Sequence, residues 1–443
     1  MAGIMGLCGK DFQDMAANTD MLDWDGTIAD TQSLSVNSSS ATGRITGAKA
    51  FKIPNNDLWV LFYRNSSRLP VARVYPVDPA DGTFGTPGTA LTLDGATELM
   101  IQNVFQADAD NKLVVHMQGI GANKLIAIEI NTSTKAITAG TAVSGATDGP
   151  YRTIVQFTST IYGQLYKSST DLKYNMWSLS GTTFTAETSA GTVSGVTLSS
   201  TAVDLSAIGG FDDTNALLLE VGTTTTFLVK TWKIVRSTYT LTGSASQTII
   251  GSGGTTDASA TNTDGNGDPH TQVAAGWVAA SNTGDTADAY IGMFLFTQTG
   301  ASTGRVLHLL VFLYDDSAAT FTAQNISANV LGTTSTNEFP VSGVGMVPVY
   351  DTSPMIASFD PMDTGYFAYA NYNSVQPEYH AGIGRLLSTG RVKMTPTDIN
   401  LAATSTVTSR QEINIGVDTE NNVILLTVKD APTTCNVSSG VLS

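Results

Sequence analysis

Charge is scarce in this sequence, and positive charge scarcest. Only 14% of the residues are Asp, Glu, Lys or Arg, with 22 basic against 38 acidic side chains. Helix-rich domains carry more charge and pair it at i,i+4 on exposed faces, so long helices are not expected. The formal net charge of −16 and the pI near 4.5 exclude a phosphate-binding surface, which needs clustered Lys and Arg. They equally exclude a basic docking surface for acidic lipid. Neither nucleic acid nor membrane is expected as a partner.

Cysteine is nearly absent. Cys8 and Cys435 stand near opposite ends, outside any CxxC pair, and are read as free thiols, with a disulfide the alternative if the ends meet. No apolar run reaches the roughly 18 residues that cross a bilayer as a helix. The opening stretch M-A-G-I-M-G-L-C-G-K-D-F lacks the basic segment and apolar run of a secretory signal. The expectation is a protein made in a cytoplasm without an export signal. Metal spacings are missing too: His116, His270, His308 and His380 are scattered, and His116 and His308 read as packing residues within strands.

What the chain does contain is Val, Ile, Leu, Phe and Tyr set among Thr, Ser, Gly and Asn, a mixture suited to pleated strands and tight turns. At 42% hydrophobic it can bury a sizeable core. The stretch from Gln106 to Val143 shows the pattern: an acidic turn, an apolar strand, a second strand, and a Thr-rich hairpin leading to a closing strand. Degenerate copies follow Asn- or Asp-rich turns throughout, with strands starting near residues 58, 113, 161, 217, 290, 366 and 423. Intervals of roughly 50 to 75 residues fall in the range of propeller blades. A strand precedes each anchor and two follow it. The fold expected is all-β: a seven-bladed β-propeller of four-stranded blades over residues 26–443. Apolar runs such as Leu113–Val115 and Leu217–Leu219 are expected to be the innermost strands. The last unit runs short, so a segment from Thr31 is expected to close the ring by pairing the two terminal strands.

Residues 1–25 differ. Met5, Leu7, Phe12 and Met15 lie there without strand alternation, and the segment reads as an extended docking arm. Two long interruptions supply further candidates. The first holds Asp264, Asn266 and Asp268 at alternate positions between glycines, like the first half of a calcium loop. Its twelfth position is Ala275 instead of a bidentate Glu, so an ordinary Gly/Asn turn is the competing reading, and calcium is the one cofactor considered. The second brings Met355 and Met362 near Tyr369 and Tyr372, candidate contact loops. Arg64, Arg68 and Arg73 form one local cationic edge.

The strand, acidic turn, L-V-V or L-L-L strand and T-x-x-x-G-T-A hairpin, as in Ala136–Val143 and Gly82–Leu93, resemble β-propeller virion proteins of tailed bacteriophages. The resemblance covers most of the chain from about residue 30 but has no invariant motif. It implies a structural component of the particle (tail, fibre or capsid surface) made in the host cytoplasm. It would act as a rigid protein-binding disc, with other virion proteins as partners and no enzymatic activity. The alternative is a carbohydrate-binding adhesin touching a host-surface glycan through residues 252–268 and 351–379. A propeller glycoside hydrolase, with Glu129 and Glu220 as its strand carboxylates, is the remote alternative.

Overall fold

The computed structural model describes residues 28–35, 48–95, 99–119, 122–146, 152–200, 202–222, 228–244, 247–250, 275–298, 305–326, 356–373, 378–394, 399–401, 413–431 and 434–442. Among them there are strands and turns and no helix, as the low charge and β-branched composition dictate. The strands form six hydrogen-bonded sheets. Within each, consecutive strands pair antiparallel through short turns, so the chain runs outward as a meander and then returns to begin the next sheet.

The first sheet holds Lys49–Lys52, Leu58–Arg64, Pro70–Pro76 and Leu91–Thr92. The second runs from Met100–Gln106 through Lys112–Gly119 to Ala122–Asn131. Its outer edge is broken into Ala136–Ala139 and Val143–Ser144, both on Ala122–Asn131. The fourth sheet begins with Ala275–Ala279 and the fifth with Ile356–Phe359. The sixth comprises Ile413–Asp418, Val423–Ala431 and Thr434–Val441, and Asp30–Ser35 adds as its outer strand, Asp30 opposite Ser439 and Ser35 opposite Thr434. The pairing of the two terminal strands expected from the sequence is thus present.

The third sheet departs from expectation. It is nine-stranded, two four-stranded meanders (152–197 and 202–243) joined where the long strand Thr183–Thr197 meets Thr240–Gly243 in parallel at Ser194 and Thr242, with Gln247–Ile250 added on Leu228–Ser237. The observed set is therefore five separate blades plus one fused sheet, where seven separate four-stranded blades were expected. Glycine explains the fusion. Gly195 adopts φ +84°, and a Cβ at Gly195 or Gly243 would collide with the facing strand. At this seam the two outer edges approach closely enough to pair.

The sheets form a β-propeller arrangement, each packed on the next and the last on the first. First strands of successive sheets lie side by side, Ile413–Asp418 between Ile356–Phe359 and Lys49–Lys52. Between sheets the second strands are buried along most of their length: every residue of Leu58–Arg64 is buried, and so is every residue of Leu113–Gly119. This corrects the sequence reading, which placed these apolar runs innermost. The second strand reads as most apolar because neighbouring sheets cover both its faces, whereas the first strand borders the axis. One interface joins Trp59, Leu61 and Tyr63 of the first sheet to Leu425, Cys435 and Val437 of the sixth, with Leu34 from the N-terminal strand. Each such buried side chain contributes on the order of 1.5–3 kcal/mol. Cys435 is buried there, and its sulfur accepts the Ala48 N–H at 3.4 Å; Cys8 lies outside the described residues.

Because each sheet is a meander, its first and third turns emerge on one face of the ring and its second turn on the other. Exposed acids crowd the former: Asp57, Asp108, Asp110, Asp213, Asp316 and Glu420. Among the described residues the second turns carry Arg68 and Lys167, and also the exposed Asp171.

Candidate functional site

The acidic turns do more than reverse the chain. Several reach across to the neighbouring sheet. Asn55 donates to the Asp110 carboxylate at 2.8 Å, joining the first and second sheets. Asp212 and Asn215 both bond the Tyr314 hydroxyl of the fourth sheet, Asn215 at 2.8 Å. Lys52 of the first sheet meets Asp418 of the sixth at 2.9 Å, both side chains buried. Burial pushes Asp418 up, but Asn421 and Lys52 outweigh it and hold the carboxyl below the usual range.

The turn after Ile356–Phe359 is the most unusual of these and is the candidate site. Asp360 ends the strand and is 2% exposed. Its Oδ1 accepts the Val417 N–H of the sixth sheet at 3.3 Å, and its Oδ2 accepts the Thr364 hydroxyl. Asp363 (φ 54°) and Gly365 (φ 77°) fold the turn back, with the Asp363 N–H on the Asp360 carbonyl at 3.3 Å. A Cβ at Gly365 would stand 2.5 Å from both Val278 Cγ1 and the Leu386 carbonyl oxygen, so the turn closes tightly against the fourth sheet's first strand. Met362 is half-buried and packs on the cluster shared by the first and second sheets. Neither sheet adjoins the fifth, so this turn reaches across the axis.

The electrostatics follow from that position. Burial raises the Asp360 carboxyl to about 7, against the pull of the Thr364 and Val417 hydrogen bonds. Crowding by protein and the charge of Asp360 raise Asp363 well above the ordinary carboxylate range. The Asp363 residue is nonetheless exposed to solvent. The indole N–H of half-buried Trp277 lies beside the Asp363 carboxyl. Phe211 stands edge-on to Trp277, centroids 6.4 Å apart. Chemically these are two carboxyls with raised proton affinity beside an aromatic wall: groups able to exchange a proton or to hold a hydroxylated ring.

The sequence candidates fare differently. Met362 belongs to this turn. Tyr369 and Tyr372 lie in the strand Tyr366–Asn373, Tyr372 opposite Tyr379. Met5, Leu7, Phe12, Met15, Met355, Asp264, Asn266 and Asp268 lie outside the described residues. Glu129 is exposed on the second sheet, whereas Glu220 is buried in the third and accepts the Ser199 N–H at 2.6 Å and the Trp232 indole N–H at 2.8 Å. The fold does not bring these two acids together as a catalytic pair. Arg73 is not a solvated edge: its Nε donates to the Gly88 carbonyl at 2.8 Å, and the guanidinium stacks over Tyr75. Asp360, Asp363 and Trp277 were missed. The available signal was the pair of carboxylates three apart around Pro361-Met362.

No family model matches the chain, and no curated protein matches it. Solved structures of similar arrangement include the β-propeller domain of Cps50 (Swd1) from Myceliophteria thermophila, at 10% identity, TM-score 0.46, covering 94% of this chain and 99% of that one. An oligogalacturonate lyase from Vibrio parahaemolyticus aligns at 8% identity and TM-score 0.40, covering 92% and 96%. A further oligogalacturonate lyase, in complex with manganese, aligns at 9% and 0.41, covering 94% and 92%. The expectation that the protein is not an enzyme is corrected on this finding: chains with this kind of sheet arrangement include lyases, so the arrangement does not exclude catalysis.

Proposed function

We propose that the chain is a seven-bladed propeller, its fused third sheet counting as two blades, that serves as a rigid docking disc in a bacteriophage particle. Seven meanders joined around one axis support the blade count. The observation that carries the docking reading is the cluster of exposed acids on the first- and third-turn face, where Asp57, Asp213 and Glu420 stand on three different sheets. A rigid face richer in acids than in bases favours a partner of the opposite sign and speeds its encounter. The repeat style of the sequence supplies the phage context, and residues 1–25 the proposed arm to neighbouring virion proteins. Mass spectrometry and electron microscopy of purified particles test this reading. It expects the chain at fixed stoichiometry within the particle; its absence from particles defeats the proposal.

Trp277 beside Asp363 favours a second reading, contact with a host-surface glycan, since an indole stacks on sugar rings while a carboxylate takes their hydroxyls. A glycan array with wild type and Trp277→Ala tests it, with and without calcium. Binding lost in the variant supports a glycan contact at this turn; binding lost on chelation supports the calcium loop at Asp264–Asp268. No glycan retained by the wild type ends the reading.

A further inference from the structure

Among the described residues, two buried carboxyls stand at seams between sheets, each at the acidic-face end of a first strand, and the two are compensated differently. Asp418 ends Ile413–Asp418 and faces the first sheet, where Lys52 meets it at 2.9 Å. Asp360 follows Ile356–Phe359 and faces the sixth sheet, where its partner is the backbone N–H of Val417. The other buried acids serve within one sheet. Glu220 accepts from Ser199 and Trp232, and Asp288 accepts the Asp316 N–H at 2.8 Å.

Sheets packed face to face share no strand ladder, so side chains must bridge the seam and meet its backbone donors. Ser358 and Asp360, two apart along the chain, do this between the fifth and sixth sheets. Ser358 Oγ accepts the Ile415 N–H and Asp360 Oδ1 the Val417 N–H, each at 3.3 Å. The further donors to Asp360 are the Thr364 hydroxyl and the N–H groups of Met362 and Thr364. All of these are neutral. The ionisable groups around the carboxyl do not compensate it either. Asp363, on the same turn, adds a like charge. Tyr366, on the next strand, is held neutral by burial, and the Arg385 guanidinium stacks over its ring at 4.7 Å. Asp418, on the sixth sheet, already holds Lys52. Elsewhere the turn meets apolar groups: Gly365 lies against Val278 of the fourth sheet, and Met362 on the cluster of the first and second.

We propose that the seam between the fifth and sixth sheets is a proton-operated latch, closed while Asp360 carries a proton and opened at its acidic-face end when Asp360 ionises. Opening parts Ile356–Phe359 from Ile413–Asp418 and frees the turn 360–365 from its seat across the axis. A buried carboxylate without a countercharge regains water by leaving the seam, whereas Lys52 keeps Asp418 in place when charged. The turn is suited to local release, because Asp363 is held at φ 54°, a conformation that costs a residue with a side chain. Burial lifts the closed-state Asp360 to about 7, against about 4 for an exposed carboxyl, so opening releases a proton. Opening is therefore promoted as pH rises from about 4 to about 7 and gains nothing further above that. The latch is independent of both functional readings above.

Hydrogen exchange of the full chain, resolved to single amides and corrected for the intrinsic effect of pH on exchange, tests the latch. Protection of the Ile415 and Val417 N–H groups should fall about tenfold for each pH unit between about 5 and 7 and then level off. Low urea separates this local opening from unfolding of the whole ring. Protection at Val417 should barely respond to urea, while that of Val60 and Leu61 in the first sheet falls steeply with it. Asp360→Asn should abolish the pH dependence at Val417. Should that variant fail to fold, Thr364→Val serves: it removes a hydrogen bond that lowers the Asp360 carboxyl, so levelling off should move to higher pH. Protection at Val417 that ignores pH, or that falls with urea in step with Val60, overturns the proposal. So does an unchanged pH dependence in folded Asp360→Asn, or an unmoved levelling point in Thr364→Val.

Discussion

The Lys52 ammonium and the Asp418 carboxylate meet 2.9 Å apart, buried, where the last sheet of the chain packs on the first. Asp418 also accepts the N–H groups of Glu420 at 3.0 Å and Asn421 at 3.3 Å, and the Asn421 side chain at 2.9 Å. The pair therefore ties a turn and an interface together, and removing one partner leaves a buried charge behind.

Lys52→Met should destabilise the protein by about 3 kcal/mol, the lower end for breaking a buried ion pair, because Asp418 keeps its other hydrogen bonds. Lys52→Met combined with Asp418→Asn should cost less than the sum of the single changes. The Asp418 carboxyl sits below its unfolded value, so its contribution is present above about pH 4 and is lost as pH falls through the folded value. Lys52→Met should accordingly move acid unfolding to higher pH. Urea unfolding at several pH values measures both effects.

Asp360 carries the opposite sign. Its folded value of about 7 lies above the unfolded value near 4, so the folded state holds a proton that the unfolded chain releases between them. Stability should fall as pH rises from about 4 to 7 and then level off. At about 1.4 kcal/mol for each pH unit of separation, the loss is of the order of 4 kcal/mol. Asp360→Asn should flatten this dependence while keeping an acceptor for the Val417 N–H. Melting temperature against pH in the two proteins decides it; parallel curves would remove Asp360 as the cause.

Gly243→Ala should cost about 1–3 kcal/mol by driving a methyl group into Val196 at the seam of the fused sheet. Gly95→Ala, where an added Cβ meets nothing within 4 Å, is the control and should be near neutral. Differential hydrogen exchange should place the loss at the strands Thr183–Thr197 and Thr240–Gly243.

Reversing three exposed acids, Asp57→Lys, Asp213→Lys and Glu420→Lys, should slow association with purified particles lacking the protein by tenfold or more at low salt. The difference should shrink as ionic strength rises, with little change in melting temperature. Association unaffected by the reversal would show that the acidic face is not the one that docks.

Much of the architecture was legible because turns and apolar runs are local. The anchor strands read near residues 58, 161, 366 and 423 begin at Leu58, Ile161, Tyr366 and Val423. Their depth was misjudged, since hydrophobicity reports how much of a strand is covered and not its distance from an axis. The fused sheet was invisible for a different reason: Gly195 and Gly243 look like ordinary turn glycines until their strands are seen to touch. The spacing of Asp360 and Asp363 was visible in the sequence, but the burial of Asp360 was not, because its partner, the Val417 N–H, lies 57 residues away. The acids were read as turn formers, which they are; that several also bind the next sheet depends on which sheets are neighbours.

The outer strand Asp30–Ser35 finds its partner across the whole sequence: Asp30 and Ser439 are 409 residues apart. A growing chain adding roughly 5–20 residues per second exposes that early segment for tens of seconds before Thr434–Val441 exists to receive it. During that time the perimeter is an open arc with two bare ends. Its completion waits for Thr434–Val441, and until then the early strand is open to pairing with other edges.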